Sequence, residues 1–318
     1  MANFTLKHFR YFDALARHGH FGRAAEACSI SQPALSVQIK ELEGMLGSPL
    51  VERRARDIRL TTLGEEFLLR ARKVLSDVEE MSELARKPDG PLTGRVRMGV
   101  IPTVAPYLLP EIIRRLSESL PQLELHPRES VTQSLLDDLI HSRLDFVIAA
   151  LPVSEPGLRE FALFDEEFVL VRSAEDGAKP VPAPERLQEM KLLLLEEGHC
   201  FRDQALSFCD IRASDPSLLM EGSSLATLVQ MVDAGLGLTL IPEMAVPLET
   251  KGTSVVISRF PRNRPKRTVG MIWRRTNPLE KQLMALGAAV RQIGQAQRDR
   301  ALAATPRDPR VASQTARA

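Results

Sequence analysis

Apolar residues recur at helical spacing through Leu6, Phe9, Phe12, Leu15 and Ala16, predicting a first helix that Gly19 ends. The stretch Phe21 to Cys28, with Gly22-Arg23-Ala24-Ala25-Glu26-Ala27, predicts a second, short helix whose alanines let another helix approach closely. After the turn Ser29-Ile30-Ser31, the segment Gln32 to Glu43 starts as helices start, with Ser31 able to cap and Pro33 tolerated in the first turn. Its polar face carries Gln32, Ser36, Gln38 and Lys40, so the pair reads as a helix-turn-helix rather than a plain helical hairpin. Leu50 to Leu60 then predicts two short strands around a turn that carries Arg53, Arg54, Arg56 and Arg59. Beside a helix-turn-helix such a wing suits a phosphate clamp, although an arginine run by itself is commonly a solvated surface.

From Thr62, read as the cap of a Thr-x-x-Glu box, a long helix is predicted to about Arg86. Phe67, Ala71, Val74, Val78 and Met81 alternate at spacings of four and three along it, a seam for pairing with a second copy. The competing reading is an amphipathic helix packed on its own domain. Lys87 to Gly94 is a Pro- and Gly-rich linker. Beyond it, strands at Val96–Val100, Leu123–His126 and Leu144–Leu151 alternate with helices at Ala105–Ser119 and Thr132–Ser142, which argues a parallel α/β sheet. A second set follows from Phe168 to Ile257, and a strand at Arg267–Arg274 and a helix from Pro278 to about Gln295 close the domain. The Arg-, Ala- and Pro-rich remainder from Ala296 lacks apolar periodicity and is expected to be disordered.

Composition narrows the class. A chain of 318 residues, 44% hydrophobic and 26% charged, is that of an ordinary globular protein, and no apolar run or leader suggests a membrane or an export route, so a cytoplasmic location is expected. The net charge of +1 hides a polarity: residues 1–60 hold nine Lys/Arg against six Asp/Glu, which suits a nucleic-acid-binding block. The six histidines are scattered and no phosphate loop is present, so neither a metal nor another cofactor is expected.

Two of the three cysteines, Cys200 and Cys209, lie nine residues apart with no Gly or Pro between them, on a predicted short helix. On that helix they stand about 13 Å apart on opposite faces, so their sulfurs can join only if it unravels. Cys200 begins the helix between His199 and Arg202, and all three features are expected to favour a thiolate. The bland alternative is a pair of small buried hydrophobes, which is the reading for Cys28 on the apolar side of the second helix.

Ser31-Gln32-Pro33-Ala34-Leu35-Ser36, the Glu52-Arg53 wing, the junction Leu60-Thr61-Thr62-Leu63-Gly64 and the long helix after it resemble the LysR-type transcriptional regulators over nearly the whole chain. Gly198-His199-Cys200-Phe201-Arg202-Asp203-Gln204 followed by Cys209 resembles that family's hydrogen-peroxide-sensing members. The resemblance implies an α+β, multi-domain protein: a winged helix-turn-helix over 1–61, a linker and dimerisation helix over 62–87, a two-lobed, periplasmic-binding-protein-like effector domain over 88–295, and a tail over 296–318. It implies DNA contacts from Ser31, Gln32, Pro33, Ala34, Leu35, Ser36, Gln38, Lys40, Arg53 and Arg54. Around Cys200 it implies a pocket made by Thr103, Thr132, His199, Asp203 and Arg267, with hydroxyls to hold an uncharged peroxide and cationic groups to stabilise thiolate and departing oxygen. A Cys200–Cys209 disulfide would be the switch, reset by glutaredoxin or thioredoxin, in a homodimer or homotetramer that engages promoter DNA and RNA polymerase to control oxidative-stress genes. Two other classes compete with this regulator. A thiol peroxidase is disfavoured by the DNA-binding third of the chain, and a LysR-type regulator answering to a metabolite between its lobes would need no cysteine chemistry.

Overall fold

The computed structural model describes residues 4–53, 58–83, 91–177, 179–209, 220–261 and 264–304. The turn of the wing with Arg54, the start of the linker and the tail from 305 lie outside the described residues. The chain divides into two compact units that meet in sequence between Lys87 and Pro88.

The N-terminal unit opens with α1 (Leu6–His18), capped by Thr5, whose hydroxyl accepts the His8 N–H while His8 answers to the Thr5 N–H. The helices α2 (Phe21–Ala27) and α3 (Gln32–Leu46) follow, and Ser31 Oγ caps α3 by accepting from Ala34 N. Ala24 and Ala25 are buried between them, as their lack of bulk allows, over a core that includes Phe12, Leu15, Leu35 and Ile39. The wing is an antiparallel pair, β1 (Val51–Arg53) and β2 (Ile58–Leu60).

The long helix α4 (Thr62–Glu83) is capped one residue earlier than the sequence suggests. Thr61, not Thr62, accepts the Gly64 N–H at 3.0 Å and donates its hydroxyl to Pro49 O at 2.9 Å. Gly64 is required there, since a Cβ would lie 2.1 Å from Leu50 O. The predicted seam splits in two. Phe67 packs its ring against Phe4, Phe9 and Phe12, and Ala71 is buried, so these two serve the helix's own unit, to which Arg72 also ties α4 through Asp13 at 2.6 Å. Val74 and Met81 are exposed and Val78 half-buried.

The C-terminal unit has two lobes. Lobe 1 holds β3 (Gly94–Val100), α5 (Ala105–Ser119), β4 (Leu123–Glu129), α6 (Thr132–Ile140) and β5 (Phe146–Leu151). A 15-residue strand, β6 (Leu158–Arg172), crosses to lobe 2, which holds β7 (Leu192–Leu195), α7 (Cys200–Phe208), β8 (Met220–Gly222), α8 (Leu225–Asp233), β9 (Leu238–Pro242), α9 (Val246–Glu249) and β10 (Val256–Ser258). The return strand β11 (Lys266–Arg274) leads to α10 (Glu280–Ala304) on lobe 1. Among the described residues nine strands join in the order β4-β3-β5-β11-β6-β9-β7-β8, with β10 beside β6.

The parallel sheet expected from alternating strands and helices forms within the lobes, inside a sheet that is mixed overall. It is parallel inside each lobe (β4-β3-β5 and β8-β7-β9), while the crossing strands β6 and β11 run antiparallel to their neighbours because they traverse the gap in opposite directions. Each lobe keeps its own core, one around Met98, Phe146 and Trp273, the other around Leu193, Phe201 and Leu228; each such side chain contributes ~1.5–3 kcal/mol by leaving water. The disorder expected from Ala296 gives way to helix through Ala304. Arg298 donates to Asp165 O at 3.3 Å and Ala301 is buried, so these nine residues rest on the crossing strand. Among the described residues no helix is long and apolar enough to cross a membrane.

Candidate functional site

Gly198, at φ +92°, turns the chain out of β7 so that α7 begins at Cys200 with its first turn against lobe 1. Cys200 is half-buried there, packed on the lobe 1 core, although the rest of α7 belongs to lobe 2 through Phe201, Ala205 and Leu206. A small recess lies at this junction, lined by Ile101, Pro102, Thr103, Val131, Thr132, His199, Cys200 and Phe201. Of the pocket residues named from the sequence, Thr103, Thr132 and His199 therefore meet Cys200. Thr103 comes from the loop after β3, and Thr132 opens α6. Thr132 Oγ1 is buried and has no hydrogen-bond partner among the described residues, an uncommon state for a hydroxyl inside a protein.

The electrostatics differ from the sequence expectation in three places. Burial lowers the pKa of His199, with Glu196 and Glu129 opposing, so at pH 7 its ring is a neutral hydrogen-bonding group, not a cation beside the sulfur. Arg202 turns away from Cys200: buried, it donates to Leu195 O at 2.8 Å and pairs with Glu221 at 2.6 Å. Asp203 is exposed on the outer face of α7 and does not line the recess.

Arg267 stands behind the recess rather than in its wall. Its Nη1 donates to Thr103 Oγ1 at 2.7 Å and its Nη2 to Thr103 O at 2.9 Å. Its Nε and Nη2 converge on Glu166 Oε2 at 2.9 and 2.8 Å, and its guanidinium carbon lies 5.8 Å from the Phe201 ring centre. Its positive charge is thus matched by a carboxylate, and the recess is lined by hydroxyls, an imidazole, a thiol and apolar groups.

The other end of α7 is a different environment. Cys209, the C-cap, is fully buried in the lobe 2 core, and burial pushes its thiol up to about 12. All three cysteines are thiols in this structure, and the intact helix separates Cys200 from Cys209 by about 13 Å along its axis. Cys28 is half-buried and pushed upward by burial and by Asp13.

In the N-terminal unit, Gln32, Pro33, Ala34 and Lys40 are exposed on α3, with Ser31 at its cap and Ser36 half-buried. Leu35 is corrected: it is fully buried in the helix-turn-helix core and holds α3 in place instead of facing a groove. Gln38 is engaged with Glu41 at 2.7 Å. The sequence reading passed over Val37, which is 58% exposed; a lone apolar residue out of phase with Leu35, Ile39 and Leu42 was the signal. Arg53 closes β1, and Arg54 lies outside the described residues.

Two family descriptions match the chain: "Bacterial regulatory helix-turn-helix protein, lysR family" over residues 6–65 and "LysR substrate binding domain" over residues 89–295. The chain is 41% identical over 293 residues to a "Probable hydrogen peroxide-inducible genes activator" of Streptomyces viridosporus, covering 91% of this chain and 94% of that protein. It is 40% identical over 290 residues to the Escherichia coli K12 "DNA-binding transcriptional dual regulator OxyR", covering 90% and 95%. Among solved structures it is similar to a full-length cysteine variant of OxyR from Pseudomonas aeruginosa, with a TM-score of 0.72 and 37% identity over 92% of this chain and 96% of that one. It is also similar to a peroxide-bound cysteine-to-serine mutant of Corynebacterium glutamicum OxyR, with a TM-score of 0.66 and 34% identity over 94% and 95%.

Proposed function

Because the chain belongs to the LysR family of bacterial helix-turn-helix regulators and is of the OxyR kind within it, we propose that it is a peroxide-sensing transcription regulator in which Cys200 is the reactive thiol and Cys209 the resolving one. The observation that carries this reading is the recess where Cys200 meets two threonines, one of them with a buried hydroxyl that has no partner among the described residues. Hydrogen peroxide is small and uncharged, and offers two donors and two acceptors. It would give Thr132 Oγ1 the partner it lacks, and a recess without a net charge favours a neutral oxidant over an anionic metabolite.

The reaction runs in two balanced steps. The Cys200 sulfur, as thiolate, attacks one peroxide oxygen; the S–O bond forms, the O–O bond breaks, and the leaving hydroxide takes a proton to become water. Sulfur has given up two electrons and is a sulfenic acid. The Cys209 sulfur then attacks Cys200 sulfur, forming S–S and releasing the sulfenic oxygen as water with the Cys209 proton. The second step requires α7 to open, because Cys209 sits in the lobe 2 core. Opening it repacks Phe201, Leu206 and Phe208, which passes the change to a neighbouring subunit and so to DNA.

On the DNA side, the N-terminus of α3 with Gln32 and Ser36 reads bases, and Arg53 and Arg54 clamp phosphates. The exposed Val74 and Met81, with Val78, are the remaining candidates for the pairing face of a homodimer, two of which would build the tetramer. Contact with RNA polymerase and reduction by glutaredoxin or thioredoxin complete the cycle. Footprinting on a target promoter tests the reading: peroxide should change the protected region, and thiol blocking should abolish the change. A footprint that answers to a metabolite and ignores peroxide would replace this reading with the metabolite-binding one.

A further inference from the structure

Among the described residues, Thr103 is the one that both lines the recess and accepts hydrogen bonds from Arg267. That grip decides what Thr103 can do. A hydroxyl has one proton to give and two lone pairs; one lone pair of Thr103 Oγ1 receives the Arg267 Nη1 N–H at 2.7 Å, and no acceptor for its own proton is present among the described residues. The hydroxyl therefore has its proton to donate into the recess, polarised by a charge-assisted bond at its oxygen.

What keeps Arg267 in place is Glu166. The two residues are direct cross-strand partners on β11 and β6, the strands that cross between the lobes. Their side chains are 0% and 1% exposed. Glu166 Oε2 accepts two N–H groups of Arg267, and Oε1 accepts the Met244 N–H at 3.0 Å, so the carboxylate cannot swing away. Both hands of the guanidinium fork are thereby directed: Nε with Nη2 to Glu166, Nη1 with Nη2 to Thr103.

We propose that Glu166 is a positioning residue for the peroxide reaction: it aims Arg267 so that Thr103 Oγ1 is presented to the recess as a hydrogen-bond donor to the peroxide oxygen that departs while the other bonds to the Cys200 sulfur. The proposal rests on the reading that Cys200 reacts with peroxide in this recess. Glu166 touches neither sulfur nor oxidant and acts only through Thr103, which distinguishes it from a residue that merely holds the fold.

A double-mutant cycle on the rate of Cys200 oxidation, followed by stopped-flow loss of thiol with peroxide in excess, separates the two. Glu166→Gln, of the same size and with one acceptor, is expected to slow oxidation by on the order of tenfold to a hundredfold while circular dichroism stays unchanged. In a Thr103→Val background the same substitution should have less than about a twofold effect, because the hydroxyl it positions is gone. Equal slowing in both backgrounds, or no slowing in a folded Glu166→Gln protein, overturns the proposal. Should Glu166→Gln fail to fold, Arg267→Lys, which keeps the buried charge but not the fork, is run through the same cycle with the same expectations. Failure of the underlying reading is seen separately, as a wild-type Cys200 that peroxide leaves reduced.

Discussion

The two ends of α7 carry the same atom in opposite surroundings. At the N-terminal end the Cys200 sulfur is half-buried, beside hydroxyls and a neutral imidazole, in a recess that lobe 1 closes. At the C-terminal end Cys209 is sealed in the core of lobe 2, where burial raises the pKa of its thiol. The helix from Phe201 to Phe208 keeps the two apart. The difference teaches that, on the proposed mechanism, reactivity and capture are divided by packing: one thiol is presented to a small polar molecule, and the other is withheld until the helix that hides it gives way.

The sharpest way to break that division is to remove each sulfur in turn. Cys200→Ser should abolish oxidation by peroxide altogether, whereas Cys209→Ser should still yield a sulfenic acid that a nucleophilic trap captures and no intramolecular disulfide. Mass spectrometry of the proteolytic peptides reads both. A disulfide from Cys200 to Cys28 would show that the helix ends do not divide the labour as described.

A smaller effect should mark Cys209 through pH. Its pKa, near 9 for an ordinary thiol, is raised to about 12 in the fold, so the unfolded chain ionises first as pH rises. The contribution of the buried neutral thiol is whole below about 9 and is lost between 9 and 12, by roughly 1.4 kcal/mol per pH unit. Denaturant melts of the reduced protein should show this loss, and Cys209→Ala should flatten it. An equally steep decline in that variant would assign it to other groups. The smallest effect is expected at Asp203, which faces solvent on the same helix: Asp203→Asn should change the oxidation rate by less than about twofold, and a large change would place a carboxylate back among the groups that serve the sulfur.

Much of this arrangement could be read from residue order, and what could not has identifiable causes. Helix positions followed from apolar spacing, and the Ser31 cap and the helix between the two cysteines stand where local chemistry puts them. The part of β6 before Phe168 is not legible in the sequence because Arg159, Glu160, Asp165, Glu166 and Glu167 break any apolar pattern; the crossing partner β11, with Lys266, Arg267 and Thr268 in register, makes such a strand possible. Glu166 was missed for the same reason. Arg202 was misplaced by adjacency in sequence, although residues two apart on a helix do not share a face, and that rule alone would have turned it away from Cys200. The neutrality of His199 comes from burial by the opposite lobe, which no local pattern reports.

The depth of Cys209 also sets a time scale. On the proposed mechanism the first step is second order, its rate proportional to peroxide, while the second is first order and as fast as α7 opens, whatever the oxidant concentration. At low peroxide the output follows dose; above the concentration at which the two rates are equal it saturates, and the sensor reports how long the oxidant has lasted rather than how much is present. Residues that anchor the helix without touching the sulfur, Phe201 stacked edge-on against Phe168 at 4.8 Å among them, thus fix where dosimeter becomes clock.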